Sequence, residues 1–307
     1  MARLLSGMGL LAAVVALSLP GEAAKIVAVK SADVDVYNDA LEGFKSVAGH
    51  STVSEYDMGG DLQSGKKFLA RLKSGPKPDL IFAIGVWALQ AVVEEIRDIP
   101  VVFAMVLNPS TVIGQEARNI TGASMNVPIE QQIALLKKVS PQAPRIGVIY
   151  DPSKTGFLVR QAERIANPQA VRLVTKSIAS SKDAIAALDA MQGEIDALWI
   201  LPDLTVLAPE SVQYMLLFSF RNKIPLLGLS ENQARMGALL GLSFESGRDI
   251  GIQAGELANE VLSGRSAQEI PFTAARKVKL TVNLKTAARL GLQVPKEILD
   301  RADLVIR

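Results

Sequence analysis

From Lys25 onward, short apolar runs alternate with stretches of helical period, and this alternation constrains the fold more than any other feature of the chain. "KIVAVK", "STVSEY", "DLIFAI" and "IPVVFAMV" form a first series, separated by helical patterns at about 36–48, 61–73 and 86–96. A second series follows "NITGASM": a helix at 129–139, "RIGVIY", a helix at 155–166, "AVRLVTKS", a helix at 182–191, "DALWIL", a helix at 209–222, and "IPLLGL". Runs without polar alternation, joined by helices of about ten or more residues, are strands of parallel sheets buried on both faces. Two such series predict an α/β protein of two doubly wound parallel-sheet lobes. The series also resemble each other. Each has a strand opened by Asp ("DLIFAIG", "DALWILPD"), a helix, and then a strand opened by Ile-Pro ("IPVVFAM", "IPLLGLS"). Proline is tolerated at a strand's first residues because its missing N–H falls outside the ladder.

After "GALLGLSF" the chain carries a helix at 245–262, then "KVKLTVN", a helix from about Leu284, and "QVPKEILDRADLVIR". This tail is too short for a third domain. It reads as the chain returning to the first lobe and then to the second, which gives three crossings. The expected division is 25–126 with 245–270 for one lobe, and 127–244 with 271–307 for the other.

The first residues predict the compartment. Arg3 supplies a positive start, Leu10–Leu19 an apolar core, Pro20 a break, and Gly21-Glu22-Ala23 the small residues of a cleavage site. Residues 1–24 therefore read as a signal peptide cut after Ala23 or Ala24, and the apolar run is shorter than the ~20 residues of a spanning helix. With no cysteine in 307 residues there is no disulfide, thiolate metal site, cysteine nucleophile or lipid-modified cysteine. A periplasmic protein is the expectation. A net charge of +2 gives no reason to expect nucleic acid or an anionic membrane as partner.

Catalytic signals are weak. "GDLQSGKK", from Gly60 to Lys67, follows the phosphate-cradling pattern up to its last position, where Lys67 replaces the metal-binding hydroxyl. A glycine turn followed by a basic helix start explains it. His50, the one histidine, lies in the polar turn "GHSTVS", so no histidine metal cluster can form, and His50 alone would have to serve any Ser-His-Asp set. No enzyme, cofactor or metal is expected. The strand-to-helix junctions remain, because ligands of open parallel sheets bind at the carboxyl ends of strands, near helix N-termini. They fall at 31–36, 85–87 and 108–110 in the first series, and at 151–155, 202–205 and 228–231 in the second.

"IPVVFAMVLNPSTVIG", "NITGASMNVPIEQQIALLKKVSPQAPRIGVIYDPS" and "KVKLTVNLKTAARLGLQVPKEILDRAD" resemble the ABC-transporter substrate-binding proteins whose characterised members carry aromatic amino acids. The resemblance implies a type I periplasmic binding fold, a small ligand held between two lobes, a hinge closure, and an ABC permease as partner, with a monomer expected. A sensory or scaffold protein of the envelope is the alternative, and an exported hydrolase a third reading. Ser31, Tyr37, Gly85, Trp87 and Asn108 are expected on one wall of the cleft, with Asp151, Asp203 and Ser230 on the other. Val86-Trp87 stands where the family carries Thr-Pro, and Asn108 where it carries Asp, whereas Asp203 matches the family's acidic position. Trp87 is expected to face the cleft, Asp203 to supply a countercharge to a cationic ligand, and Trp199 to be buried in its strand.

Overall fold

The computed structural model describes residues 23–114, 118–140 and 144–307. All but two residues of the expected leader lie outside them. Among the described residues, no helix is long and apolar enough to cross a membrane.

The first sheet contains β1 (Lys25–Lys30), β2 (Thr52–Asp57), β3 (Leu80–Ile84), β4 (Val101–Val106) and β5 (Ile120–Ser124), all parallel in the order β2-β1-β3-β4-β5. Every residue of β3, β4 and β5 is buried, as expected for strands covered on both faces. The polar sequence of β2 fits its place at the edge. Helices α2 (Leu62–Ser74) and α3 (Val86–Glu95) cover one face through Leu69, Leu89 and Val92. Helix α1 (Asp35–Val47) covers the other, where Phe44 stacks on Phe82 at 3.9 Å between ring centres.

The second sheet draws on β6 (Arg145–Tyr150), β7 (Arg172–Ser177), β8 (Ala197–Trp199), β9 (Leu226–Gly228) and β10 (Leu240–Phe244). Their order, β10-β9-β8-β6-β7, is that of the first sheet, so the two Asp-opened strands (β3, β8) and the two Ile-Pro strands (β4, β9) hold equivalent places. Helices α4 (Ile129–Val139) and α5 (Pro152–Ala166) pack on one face, and α6 (Ala184–Asp189) and α7 (Pro209–Asn222) on the other. The short α8 (Glu231–Met236) follows β9.

The chain then leaves for the first lobe. Helix α9 (Gly247–Leu262) packs on α1, β4 and β5 and contributes Ile250, Ala254 and Ala258 to the first core. Its contact with α1 is close because glycines recur on the facing surface. An added Cβ on Gly251 would stand 1.9 Å from the Ala40 carbonyl oxygen, and on Gly247 2.2 Å from that of Val36. Thr273 and Ala275 hydrogen-bond to β5 and its continuation, so the chain stays with the first sheet past residue 270. It then enters β11 (Val278–Asn283), α10 (Leu284–Leu290), α11 (Lys296–Leu299) and β12 (Leu304–Ile306). Returning from the opposite end, β11 runs antiparallel to β10. The second sheet, like the first, is parallel as expected, apart from this one antiparallel pair. Where the chain passes between lobes the crossings bond to each other, Ala275 N to Asn126 O and Glu245 N to Lys277 O.

Candidate ligand-binding cleft

In both sheets the strand order reverses direction between the first and third strands, the place where ligands of open sheets bind. The carboxyl ends of β1 and β3 in one lobe, and of β6 and β8 in the other, border a cleft of about 320 Å³. Tyr37, Val86, Met105 and Asn108 line it from the first lobe, and Lys154, Thr155, Pro202 and Leu204 from the second.

Gly85 organises the first wall. Its φ of 89° with ψ of 167° is a conformation that only glycine adopts readily, and an added Cβ would meet Ser31 Oγ at 2.6 Å and the Tyr37 hydroxyl at 2.7 Å. Since Gly85 has no side chain to cap α3, Ser31 does so from the neighbouring strand. Its hydroxyl donates to Ile84 O and accepts from Ala88 N, both at 2.9 Å. Ser31, expected on the cleft wall, is thus buried behind it with its hydroxyl engaged. Tyr37 does reach the cleft, and burial pushes its phenol pKa up, which keeps it a neutral donor.

Trp87 departs from the expectation. Successive helical residues point about 100° apart, so with Val86 lining the cleft, Trp87 turns toward the β2–α2 loop, 3.5 Å from where a Gly60 Cβ would be. It remains 44% exposed and outside the cleft lining. The same loop disposes of the phosphate-site pattern: Gly59 and Gly60 turn with positive φ, Asp61 caps α2, and Lys66 pairs with Glu94. His50 lies exposed in the turn after α1.

Asn108 joins the lobes. It follows β4, whose register slips at Met105, and both residues have left-handed φ values, 59° at Met105 and 50° at Asn108. Asn108 Nδ2 donates to the Pro202 carbonyl at 2.8 Å, across the cleft, and its backbone N–H bonds Asn126 Oδ1 at 3.0 Å. This fixes the amide orientation and leaves Asn108 Oδ1 enclosed without a partner.

Asp203 is not the free countercharge that was expected. Its carboxylate is completely enclosed, accepting from Asp151 N at 2.7 Å, Thr205 N at 2.9 Å and the Thr155 hydroxyl. Asp151 in turn caps α5, accepting from Ser153 N and Oγ and from Thr205 Oγ1. The Ser153 hydroxyl first, then that of Thr205, hold its carboxyl below the ordinary 3.8. The two acids tie the β6–α5 and β8–α7 junctions together. Ser230 caps α8 through Gln233 N and lies outside the cleft lining. In place of these residues the second wall offers Lys154, on the first turn of α5, and Leu204, which is 84% exposed at the mouth. Neither carries a sequence signal that separates it from ordinary surface. Trp199 is buried as expected, donating its indole N–H to Gln132 Oε1 at 2.7 Å. Among the described residues, no group of three or more His, Cys, Asp or Glu side chains could hold a metal.

Two sheets of one topology, facing each other over a cleft that both line, define a two-lobed binding protein of the type I periplasmic class. Comparison with known proteins narrows this: the family model described as ABC transporter substrate binding protein matches residues 40–306, and the chain belongs to that family. It is 30% identical over 226 residues to the "Tyrosine-binding protein" of Clostridioides difficile (strain R20291), covering 71% of this chain and 64% of that one. It is 25% identical over 209 residues to the uncharacterized protein RP367 of Rickettsia prowazekii (strain Madrid E), covering 68% and 65%. The chain thus spans just under two thirds of the length of these curated relatives. Among solved structures it shares its fold with a ligand-free, open substrate binding protein with adhesive properties from Clostridium difficile (TM-score 0.71, 23% identity, 92% of this chain and 99% of that one). An ABC domain in complex with L-Trp from Streptococcus pneumonia is also similar (TM-score 0.62, 21% identity, 92% and 100%).

Proposed function

We propose that this chain captures a small carboxylate-bearing solute with an apolar body between its lobes and delivers it to an ABC permease, acting in the periplasm after removal of its leader. The observation carrying this reading is the make-up of the cleft: a largely apolar lining with the Tyr37 phenol and the Lys154 side chain among its residues. A neutral phenol and an ammonium suit a carboxylate. Aromatic amino acids carry such a carboxylate on an apolar body. The name of the curated relative supports them as candidates. Solute in the cleft would favour the closed arrangement of the lobes, the hinge closure general to periplasmic binding proteins.

A thermal-shift screen over amino acids, aromatic and aliphatic acids, purines and sugars tests the binding step. Binding to the folded state alone stabilises by about 2.7 kcal/mol at a hundredfold excess over Kd, so a true ligand raises Tm clearly. Uptake of the hit by cells with and without the gene tests delivery. Binding with unchanged uptake would favour the sensory role, and a folded protein that no solute stabilises would refute the reading.

A further inference from the structure

Behind the cleft, between the lobe crossings and the second sheet, lies another cavity of about 140 Å³. Leu107, Met125 and Pro202 line both spaces, so the two adjoin. Its remaining walls are almost wholly aliphatic or aromatic, with Ile129 and Leu158 on one side, Trp199 on the sheet, and Leu242 and Phe244 on the second crossing. Several of the polar groups at its edge are engaged elsewhere. The Trp199 indole N–H is given to Gln132, Gln132 Nε2 to Val127 O at 3.0 Å, and Asn126 Oδ1 accepts from Asn108 N. A water needs two to four polar partners, whereas an apolar cavity of roughly 150 Å³ stays dry and accepts benzene, and the chamber's mostly aliphatic and aromatic walls suit the second case.

Resting on the proposed binding role, we propose that the chamber is an apolar subsite continuous with the cleft, and that the solute is an amphipathic carboxylate. Its head lies between Tyr37 and Lys154, and its tail, a single ring or an aliphatic chain of similar bulk, occupies the chamber against Trp199. The chamber sets the size limit. A fused two-ring system exceeds it, so phenyl acids are preferred over indole acids of the same chain length. Because Met125 and Phe244 belong to two of the crossings, the tail also touches the segments that bend when the lobes close.

The test is a series of straight-chain carboxylates from propanoate to decanoate, with 3-phenylpropanoate and indole-3-propanoate, titrated by calorimetry and by fluorescence. The protein carries two tryptophans, so Trp87→Phe leaves Trp199 as sole reporter. Affinity should tighten about fourfold per methylene, the equivalent of about 0.8 kcal/mol, until the chamber is full, and then level off. Trp199 emission should change only with acids long enough to reach it, and 3-phenylpropanoate should bind at least tenfold tighter than indole-3-propanoate. Leu242→Phe, which adds bulk to a wall of the chamber, should remove the length dependence and leave the shortest acids unaffected. Leu242→Ala, which enlarges the chamber, should move the plateau to longer acids and keeps the test decisive if the first variant does not fold. Affinity independent of chain length, or equal loss for short and long acids in Leu242→Phe, would overturn the subsite. So would a protein that binds other solutes but no carboxylate. A wild type that binds no solute of any class would instead refute the binding role itself.

Discussion

Replacing Gly85 with alanine tests the link between one backbone conformation and the cleft wall. The cost has two parts. A residue with Cβ held at φ 89°, ψ 167° is strained by about 1–3 kcal/mol. The new methyl also stands 2.6–2.7 Å from Ser31 Oγ and the Tyr37 ring and hydroxyl, so these must move. Moving Ser31 stretches its bonds to Ile84 O and Ala88 N, worth about 0.5–1.5 kcal/mol each. Against this, alanine stabilises by about 0.4–1 kcal/mol by restricting the unfolded chain. The net expectation is a destabilisation of about 2–4 kcal/mol, or a fall in Tm of roughly 5–10 °C. Gly49→Ala is the control: its φ is +62° but nothing lies within 4 Å of an added Cβ, so only the left-handed cost of about 1 kcal/mol applies. Urea titration of both variants gives the two free energies, and solute titration at a temperature where both are folded gives the effect on binding. Gly85→Ala should lose affinity because Tyr37 is displaced, and Gly49→Ala should not. A Gly85→Ala variant no less stable than Gly49→Ala, or one with wild-type affinity, would refute the reasoning.

Asp203→Asn should destabilise the fold by about 1–3 kcal/mol, because one oxygen must serve donors that now share two, and an NH₂ group faces N–H donors. Affinity for amines and for non-amines should then fall alike; an amine-specific loss at unchanged stability would restore Asp203 as a ligand contact. Asn108→Asp keeps a residue tolerant of left-handed φ but sets oxygen against the Pro202 carbonyl, which should lower the ratio of closed to open molecules roughly 2- to 10-fold. An unchanged inter-lobe distance distribution by energy transfer would count against a latch there. The lowered pKa of Asp151 means that its contribution to stability is complete above about pH 4 and is lost as pH falls through the lower folded value. Thr205→Val should therefore cost most at neutral pH and progressively less below pH 4, and a pH-independent cost would show that the Thr205 hydrogen bond does not set that pKa.

The succession of strands and helices was legible because fully buried strands leave uninterrupted apolar runs, and the two Ile-Pro starts and two Asp starts marked equivalent strands of each sheet. The direction of β11 was not, since "KVKLTVN" reads the same whichever way it enters a sheet; the detour through α9 decides it. The six-residue α8 was too short to show a period. At the cleft, the junction at Gly85 and the place of Tyr37 and Asn108 in the lining could be read from position. What each junction side chain does could not. Ser31, Asp151, Asp203 and Ser230 satisfy backbone donors next to helix starts, and the residue types that cap are those that bind. Trp87 and Val86 exchange roles through a rotation of about 100° that no spacing in a first helical turn reveals. The chamber behind the cleft gathers Leu107, Leu158, Trp199 and Leu242, which as letters are ordinary core.

The glycine seam between α1 and α9 has a consequence for the order in which the protein can be made. Helix α1 begins at residue 35 and its partner ends at 262, with the whole run from β6 to β10 lying between them in the sequence. The side of α1 that meets α9 is therefore left uncovered until about the last fifth of the chain has begun to appear, so the lobe that is first in sequence is completed late. A ribosome or a translocation channel would handle nearly the entire polypeptide before any stable lobe formed at its leading end.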